Sequence, residues 1–373
     1  MDWLSNPRRR GRRPARRYAL NDECLKLTVY FGERARSEGR YLADALLDIV
    51  GRHELAVSLL LRGAQGFGLK HHLRSDRLLT LSEDLPLIAI AVDTRERIEA
   101  ALPEVTEVAR SGLVTLEHAR LLTGEIGPIA LPEEFHEATK LTLYVGRQER
   151  VYGMPAYAAV TDLLYRRGVA GATVLLGVDG TTHGLRRRAR FFGRNAEVPM
   201  MIISVGQGEV IARVLPELGG LLRHPVITLE RVRVCKRDGA RLAAPHPLPG
   251  TDEHGLALFQ KLMVYGSDAG PPTHRELIRR LREIGASGAT TVRGIWGFHG
   301  DHAPHGDRVL QLRRHVPTVT TIIDRPDRIM VSFGVVDELT AERGLVTSEM
   351  VPASAAMAAD TRRGGLRLAK HEF

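Results

Sequence analysis

Apolar and polar positions alternate from Lys26 to Phe31 in a run rich in β-branched and aromatic residues, which predicts a strand. From Tyr41 the apolar period lengthens. Tyr41, Leu42, Ala45, Leu46, Ile49 and Val50 recur on one face of a helix. Val57 to Leu61 is a continuous apolar run, as in a buried strand. Leu87 to Val92 is another, opened by Pro86, which fits only a strand start or edge. Ile98, Ala101, Leu102, Val105 and Val108 make a second helical face, and Leu113 to Leu121 closes the pattern as a strand. The order β-α-β-β-α-β is the ferredoxin-like arrangement.

The pattern then recurs twice. Lys26-Leu-Thr-Val-Tyr30 is echoed by Lys140-Leu-Thr-Leu-Tyr144 and Lys261-Leu-Met-Val-Tyr265. Each lysine is followed, after 37, 37 and 33 residues, by a glycine that ends an apolar run: Gly63, Gly177 and Gly294. Pro86, Pro199 and Pro317 follow those glycines by 23, 22 and 23 residues. Helical faces recur at Val160, Leu163 and Leu164, and at Val210, Val214, Leu215 and Leu218; in the third copy they fall at Leu277, Ile278 and Leu281, and at Ile329, Phe333 and Val336. Units of about 100 residues are far longer than solenoid repeats, so each can hold its own core. The fold class expected is α+β, with three tandem ferredoxin-like domains. The division is a tail over 1–23, repeat one over 24–123, a linker over 124–137, a divergent repeat two over 138–236, a linker over 237–256, repeat three over 257–352 and a frayed C-terminal tail over 353–373.

Composition narrows the function classes. At 43% hydrophobic and 26% charged, the 373 residues are ordinary for a globular protein. No window nears the roughly 18 consecutive apolar residues of a membrane helix, and the N-terminus lacks the apolar core of a secretory signal, so a cytoplasmic location is expected. Two cysteines, Cys24 and Cys235, exclude a disulfide scaffold and a cysteine zinc site. Of the net charge of +9, residues 1–20 carry +6 through seven arginines and Asp2. Such a tail cannot bury apolar area and is expected to be disordered, either a solubilising tail or one attracting acidic lipid, an acidic partner protein or, non-specifically, nucleic acid.

Candidate chemistry gathers after the second strand, where about 20 residues precede the third instead of the 2–5 usual between neighbouring antiparallel strands. The stretch opens with glycines: Gly63-x-x-Gly66-Phe67-Gly68, Gly177-x-x-Gly180 and Gly294-x-x-Gly297-Phe298. It continues with cations: Lys70, His71, His72, Arg74 and Arg77; Arg186, Arg187, Arg188, Arg190 and Arg194; Arg308, Arg313 and Arg314. Backbone N–H groups beside fixed positive charge suit a phosphate or another small anion. No Walker A lysine follows, and no helix starts there as a dinucleotide fingerprint needs. His299, His302 and His305, with Asp301 and Asp307, have ligand chemistry for a metal, but only in the third repeat. Ser82-Glu83-Asp84 precedes a strand, where such residues cap or terminate. Neither a nucleophile elbow nor a zincin helix is present, and no enzymatic role is expected.

Leu25-Lys-Leu-Thr-Val-Tyr-Phe-Gly-Glu33, Glu38-Gly-Arg-Tyr-Leu42, Leu61-Arg-Gly-Ala-Gln-Gly-Phe-Gly68 and Leu81-Ser-Glu-Asp-Leu-Pro86 resemble domain-of-unknown-function family 190, of the PII-like signalling superfamily. Repeat three keeps Arg293-Gly-Ile-Trp-Gly-Phe298. Repeat two keeps Tyr152-Gly-Met-Pro155 but has lost the Arg-Gly and Gly-Phe-Gly elements. The resemblance implies trimeric assembly with ligand clefts between subunits, here closed within one chain as a pseudo-trimer. It implies an adenine nucleotide (AMP, ADP or ATP) at the base of the long loop, and a regulated partner such as a membrane transporter. Carried onto this chain, the ligand-binding residues are Arg62, Gly63, Gly66, Phe67 and Gly68, with Arg293, Gly294, Gly297 and Phe298 in repeat three. The phosphate loop of PII proteins has no match. Arg110-Ser-Gly-Leu113, Leu222-Arg-His-Pro225 and Glu342-Arg-Gly-Leu345 stand there instead. The alternatives are an RNA-binding protein, which the aromatic-free strands from Pro86 and Pro199 disfavour, and a metal-dependent enzyme at the repeat-three histidines.

Overall fold

Each apolar period closes as an element of the computed structural model. It describes residues 23–68, 74–75, 84–182, 185–186, 198–268, 273–299, 304–306, 316–358 and 361–371. The Arg-rich N-terminus lies outside these residues, as do Ser82, Glu83, Asp301, His302, Asp307 and most of the loop cations. Repeat one comprises β1 (Glu23–Gly32), α1 (Leu42–Arg52), β2 (Val57–Arg62), β3 (Pro86–Thr94), α2 (Arg95–Val108) and β4 (Ser111–Thr123). Repeat two follows with β5 (Thr139–Gly146), α3 (Ala156–Arg166), β6 (Gly171–Thr182), β7 (Pro199–Gly206), α4 (Gly208–Leu221) and β8 (Val226–Arg231). Repeat three has β9 (Phe259–Asp268), α5 (Thr273–Glu283), β10 (Ala289–His299), β11 (Val316–Asp324), α6 (Pro326–Leu339) and β12 (Leu345–Val351). The helical faces bury as their spacing requires, with Leu42, Leu46 and Ile49 under α1 and Ile98, Ala101 and Val105 under α2. Tyr41, assigned to the α1 face, precedes the helix and is exposed.

Hydrogen bonding orders the strands β4-β1-β3-β2 in repeat one, every neighbour antiparallel. The others read β8-β5-β7-β6 and β12-β9-β11-β10. Each sheet rests one face on its own helices. The opposite faces meet in a shared apolar interior that takes Leu59 and Ile90 from repeat one, Leu175 and Ile203 from repeat two, and Val292 and Val319 from repeat three.

The sheets also join edge to edge. β2 pairs with β6, β6 with β10, and β10 with the short strand Gln65–Phe67 that continues β2, so the ladder returns to the repeat where it began. A second circuit runs through the last strands. The end of β4 pairs with β8, Arg233–Arg237 pairs with β12, and Ala353–Ala358 pairs with β4. Ala353–Ala358 and Thr361–Gly365, expected as part of a frayed tail, therefore pair as the two antiparallel strands of a hairpin. An open sheet edge is a liability, and small residues can lie flat along it; Ala353, Ser354 and Ala355 are buried there. The first linker is packed too, with Ile126, Leu131 and Phe135 buried in the core of repeat two.

Candidate functional site

The recurrent lysines face the interior. Lys26, Lys140 and Lys261 stand opposite Glu117, Glu230 and Glu349 on the neighbouring last strands, in the same register in each repeat. Each ammonium also reaches the carboxylate of another repeat: Lys26 to Glu117 (3.1 Å) and Glu230, Lys140 to Glu230 (3.0 Å) and Glu349, Lys261 to Glu349 (2.8 Å) and Glu117. Three cations and three anions thus alternate in a closed, buried ring. The carboxylate oxygens lie within 4.8 Å of one another, near enough to share a cation, and the ammoniums supply the positive charge. Burial alone would push the Glu117 and Glu230 carboxyls up, but Lys26 and Lys261 hold Glu117 well below the usual range, and Lys140 and Lys26 hold Glu230 down. Groups with depressed folded values stabilise the fold above their ordinary value of 4.5 and lose that contribution as pH falls below it. The melting temperature is therefore expected to be level near neutrality and to drop steeply below pH 4.5. A flat melting profile down to about pH 3 would contradict this.

Gly66, Gly177, Gly180, Gly294 and Gly297 lie in strands, while Gly63 and Gly68 flank the short strand Gln65–Phe67, and the motifs lie on the seams between repeats. A Cβ on Gly66 would stand 2.7 Å from the Ala289 carbonyl oxygen. On Gly297 it would stand 2.4 Å from that of Ala172, and on Gly180 2.5 Å from that of Ser58. Only glycine lets the two backbones approach so closely. The adjoining aromatics cross the same seams. Phe67 enters the core of repeat three, and Phe298 enters that of repeat two, edge-on to Tyr165. Arg62 is half exposed and pairs with Glu33 at 2.8 Å. The Gly63 N–H donates to the Pro86 carbonyl (2.7 Å), Gly294 packs on Thr173 and Pro317, and half-buried Arg293 stands opposite Thr318 in the ladder.

Two clefts open beside these seams. The wider one, about 770 Å³, lies between repeats one and three. Of the nine residues assigned to a ligand from sequence, Phe67 and Gly68 line it, and Phe298 lines the smaller cleft; the other six line neither. Repeat one contributes Phe31, Arg34, Arg74 and Asp84. Repeat three contributes Phe259, Asp324 and Arg325, and the C-terminal hairpin contributes Met357 and Arg363. The acids are already satisfied. Asp84 accepts from Arg34 N (2.7 Å) and Arg74 Nε (2.8 Å), and Asp324 accepts from the N–H (2.8 Å) and hydroxyl (2.7 Å) of Ser287 and from Arg325 N (2.8 Å). The guanidiniums of Arg34 and Arg363 have no acid partner among the described residues. Exposed arginines beside aromatic walls suit a ligand with an anionic end and a flat apolar body. Of the cleft's arginines only Arg74 stands out in the sequence, in the basic stretch after Gly68. Arg363 falls in a stretch whose small residues have no strand period.

The smaller cleft lies between repeats two and three and measures about 40 Å³, little more than the roughly 30 Å³ share of one water and far below the 300–1,000 Å³ of ligand pockets. Arg237 and Asp238, in the turn before Gly239, line it. The Asp238 N–H donates to the Gly344 carbonyl (2.8 Å), and a Cβ on Gly239 would meet the Ala341 oxygen at 2.4 Å. Among the described residues, no helix is long and apolar enough to cross a membrane.

Threefold recurrence, continuous strand circuits and inter-repeat clefts define a mixed α/β protein of three fused copies of one unit. That unit is known: the family DUF190, described as "Uncharacterized ACR", matches residues 24–121, 138–234 and 262–353, and the chain belongs to it. A UPF0166 protein of Methanocaldococcus jannaschii is 28% identical over 100 residues, 26% of this chain and 92% of that protein. A UPF0166 protein of Aquifex aeolicus is 35% identical over 60 residues, 16% of this chain and 57% of that protein. Among solved structures, aspartate kinase from Synechocystis aligns at 10% identity with a TM-score of 0.25, over 90% of this chain and 45% of that one.

Proposed function

We propose that the chain is a non-enzymatic regulatory protein of the PII-like kind. Three ferredoxin-like domains close as an intrachain pseudo-trimer, and a small anionic ligand, an adenine nucleotide, binds in the cleft between repeats one and three. Its occupancy is passed through the long basic loops to a partner protein. The observation that carries this reading is the pair of guanidiniums of Arg34 and Arg363, without an acid partner among the described residues, on a cleft of about 770 Å³. The M. jannaschii relative, covered almost whole by one repeat's length, fits a unit that elsewhere would assemble from separate chains. Arg62, already paired with Glu33, is not included in the clamp.

Thermal shift of the intact chain with AMP, ADP and ATP tests the reading. A nucleotide at 100 times its dissociation constant adds about 2.7 kcal/mol, a clear rise in melting temperature. Arg363→Ala is expected to weaken binding by about 1.5–3 kcal/mol, the worth of a charge-assisted hydrogen bond, with little change in the ligand-free melt. No shift with any of the three nucleotides would overturn the assignment.

A further inference from the structure

The three seams of the ring are not equivalent in covalent terms. Residues 124–137 tie repeat one to repeat two, and residues 237–256 tie repeat two to repeat three. Nothing covalent ties repeat three back to repeat one. That seam is held by Gln65–Phe67 against β10, by the C-terminal hairpin against β4, and by Leu366 and Leu368 on the core of repeat one. The wide cleft lies on this seam, while the seam between repeats two and three carries the small one.

The cleft's cations also come from both sides. Arg34 follows β1 of repeat one, whereas Arg325 and Arg363 belong to repeat three and its hairpin. An anion held by Arg34 and Arg363 together would bridge chain segments more than 300 residues apart in sequence. Ser354, on the same hairpin and lining the same cleft, is buried with a hydroxyl that has no hydrogen-bond partner among the described residues.

We propose that the ligand acts as a clasp on the one seam the chain leaves unlinked, so that occupancy controls whether the C-terminal hairpin and repeat three stay closed on repeat one. This rests on the anion-binding reading above and deepens it, because an anion that binds only the closed seam must suppress its opening by mass action. A three-chain ring has three like seams and no such unique point. Here fusion has made one.

Hydrogen–deuterium exchange of the intact chain with and without AMP, alongside a calorimetric titration of AMP, tests the proposal. At about 100 times the dissociation constant, opening is expected to slow about 100-fold. The slowing should fall on the amides of Ala353–Ala358, Thr361–Gly365 and Gln65–Phe67, with the β2–β6 ladder unchanged as the internal reference. If AMP binds by calorimetry while exchange at the hairpin is unchanged, or slows uniformly over the chain, the clasp is wrong and the ligand site stands. If AMP does not bind, the same pair of measurements is made with ADP and ATP, and binding of none of the three overturns both.

Discussion

Glu117→Ala is expected to lower the unfolding free energy by about 3–5 kcal/mol, because it leaves Lys26 and Lys261 buried around an uncompensated charge. An exposed ion pair would cost no more than about 1 kcal/mol. Burial decides between the two, since every side chain of the ring is at least nine-tenths buried. Lys261→Met should cost a similar amount for the mirror reason. The double variant Lys26→Met/Glu117→Leu removes one charge of each sign and leaves Lys140 and Lys261 with Glu230 and Glu349. It is expected to be more stable than the sum of its single variants requires, because neither remaining sign is in excess. Chemical denaturation gives all four corners of the cycle. Additive single costs would mean that the six groups do not act as a ring.

Gly297→Ala is the second large effect. Its Cβ would sit 2.4 Å from the Ala172 carbonyl oxygen, a backbone atom in mid-ladder that cannot swing aside. Overpacking of this kind costs typically about 1–3 kcal/mol, and here the strain falls on a single seam. An opened seam exposes the edges of β6 and β10, which can pair with another copy of the chain. Gly297→Ala is therefore expected to melt lower than wild type and to populate oligomers by light scattering. Gly334→Ala, on α6 with nothing within 4 Å of the added carbon, should do neither. Wild-type behaviour of Gly297→Ala would remove the seam role of the motif. The same geometry explains why glycine-rich stretches that look like ligand loops are strands here. The strand beneath each of them belongs to another repeat, so no local pattern announces it.

The helical faces under α1, α2, α5 and α6 were legible because burial imposes a 3.6-residue period on one chain segment. The lysines were legible as repeat markers, yet nothing local reveals that Lys26, Lys140 and Lys261 meet. Their partners lie on other strands, and Glu117, Glu230 and Glu349 read as ordinary strand polar residues. An ammonium in the same place in three apolar strands was the available signal, since a lysine is almost never buried unless paired. The hairpin Ala353–Gly365 was missed because Ala-Ser-Ala-Ala-Met-Ala has no polar alternation and pairs with a strand more than 200 residues away. With it went Arg363, and so one half of the cleft's cationic rim. Gly66 and Gly297 stand out in the sequence as glycines that let backbone approach a ligand, whereas in the structure what approaches them is the backbone of a neighbouring repeat.

The cleft between repeats one and three is wide and that between repeats two and three is small, so on the proposed function the three repeats are expected not to bind alike. Calorimetric titration of the intact chain with the nucleotide that gives the largest thermal shift measures this directly. One site per 373-residue chain is the expected result; three equivalent sites per chain, as in a ring of identical clefts, would contradict it.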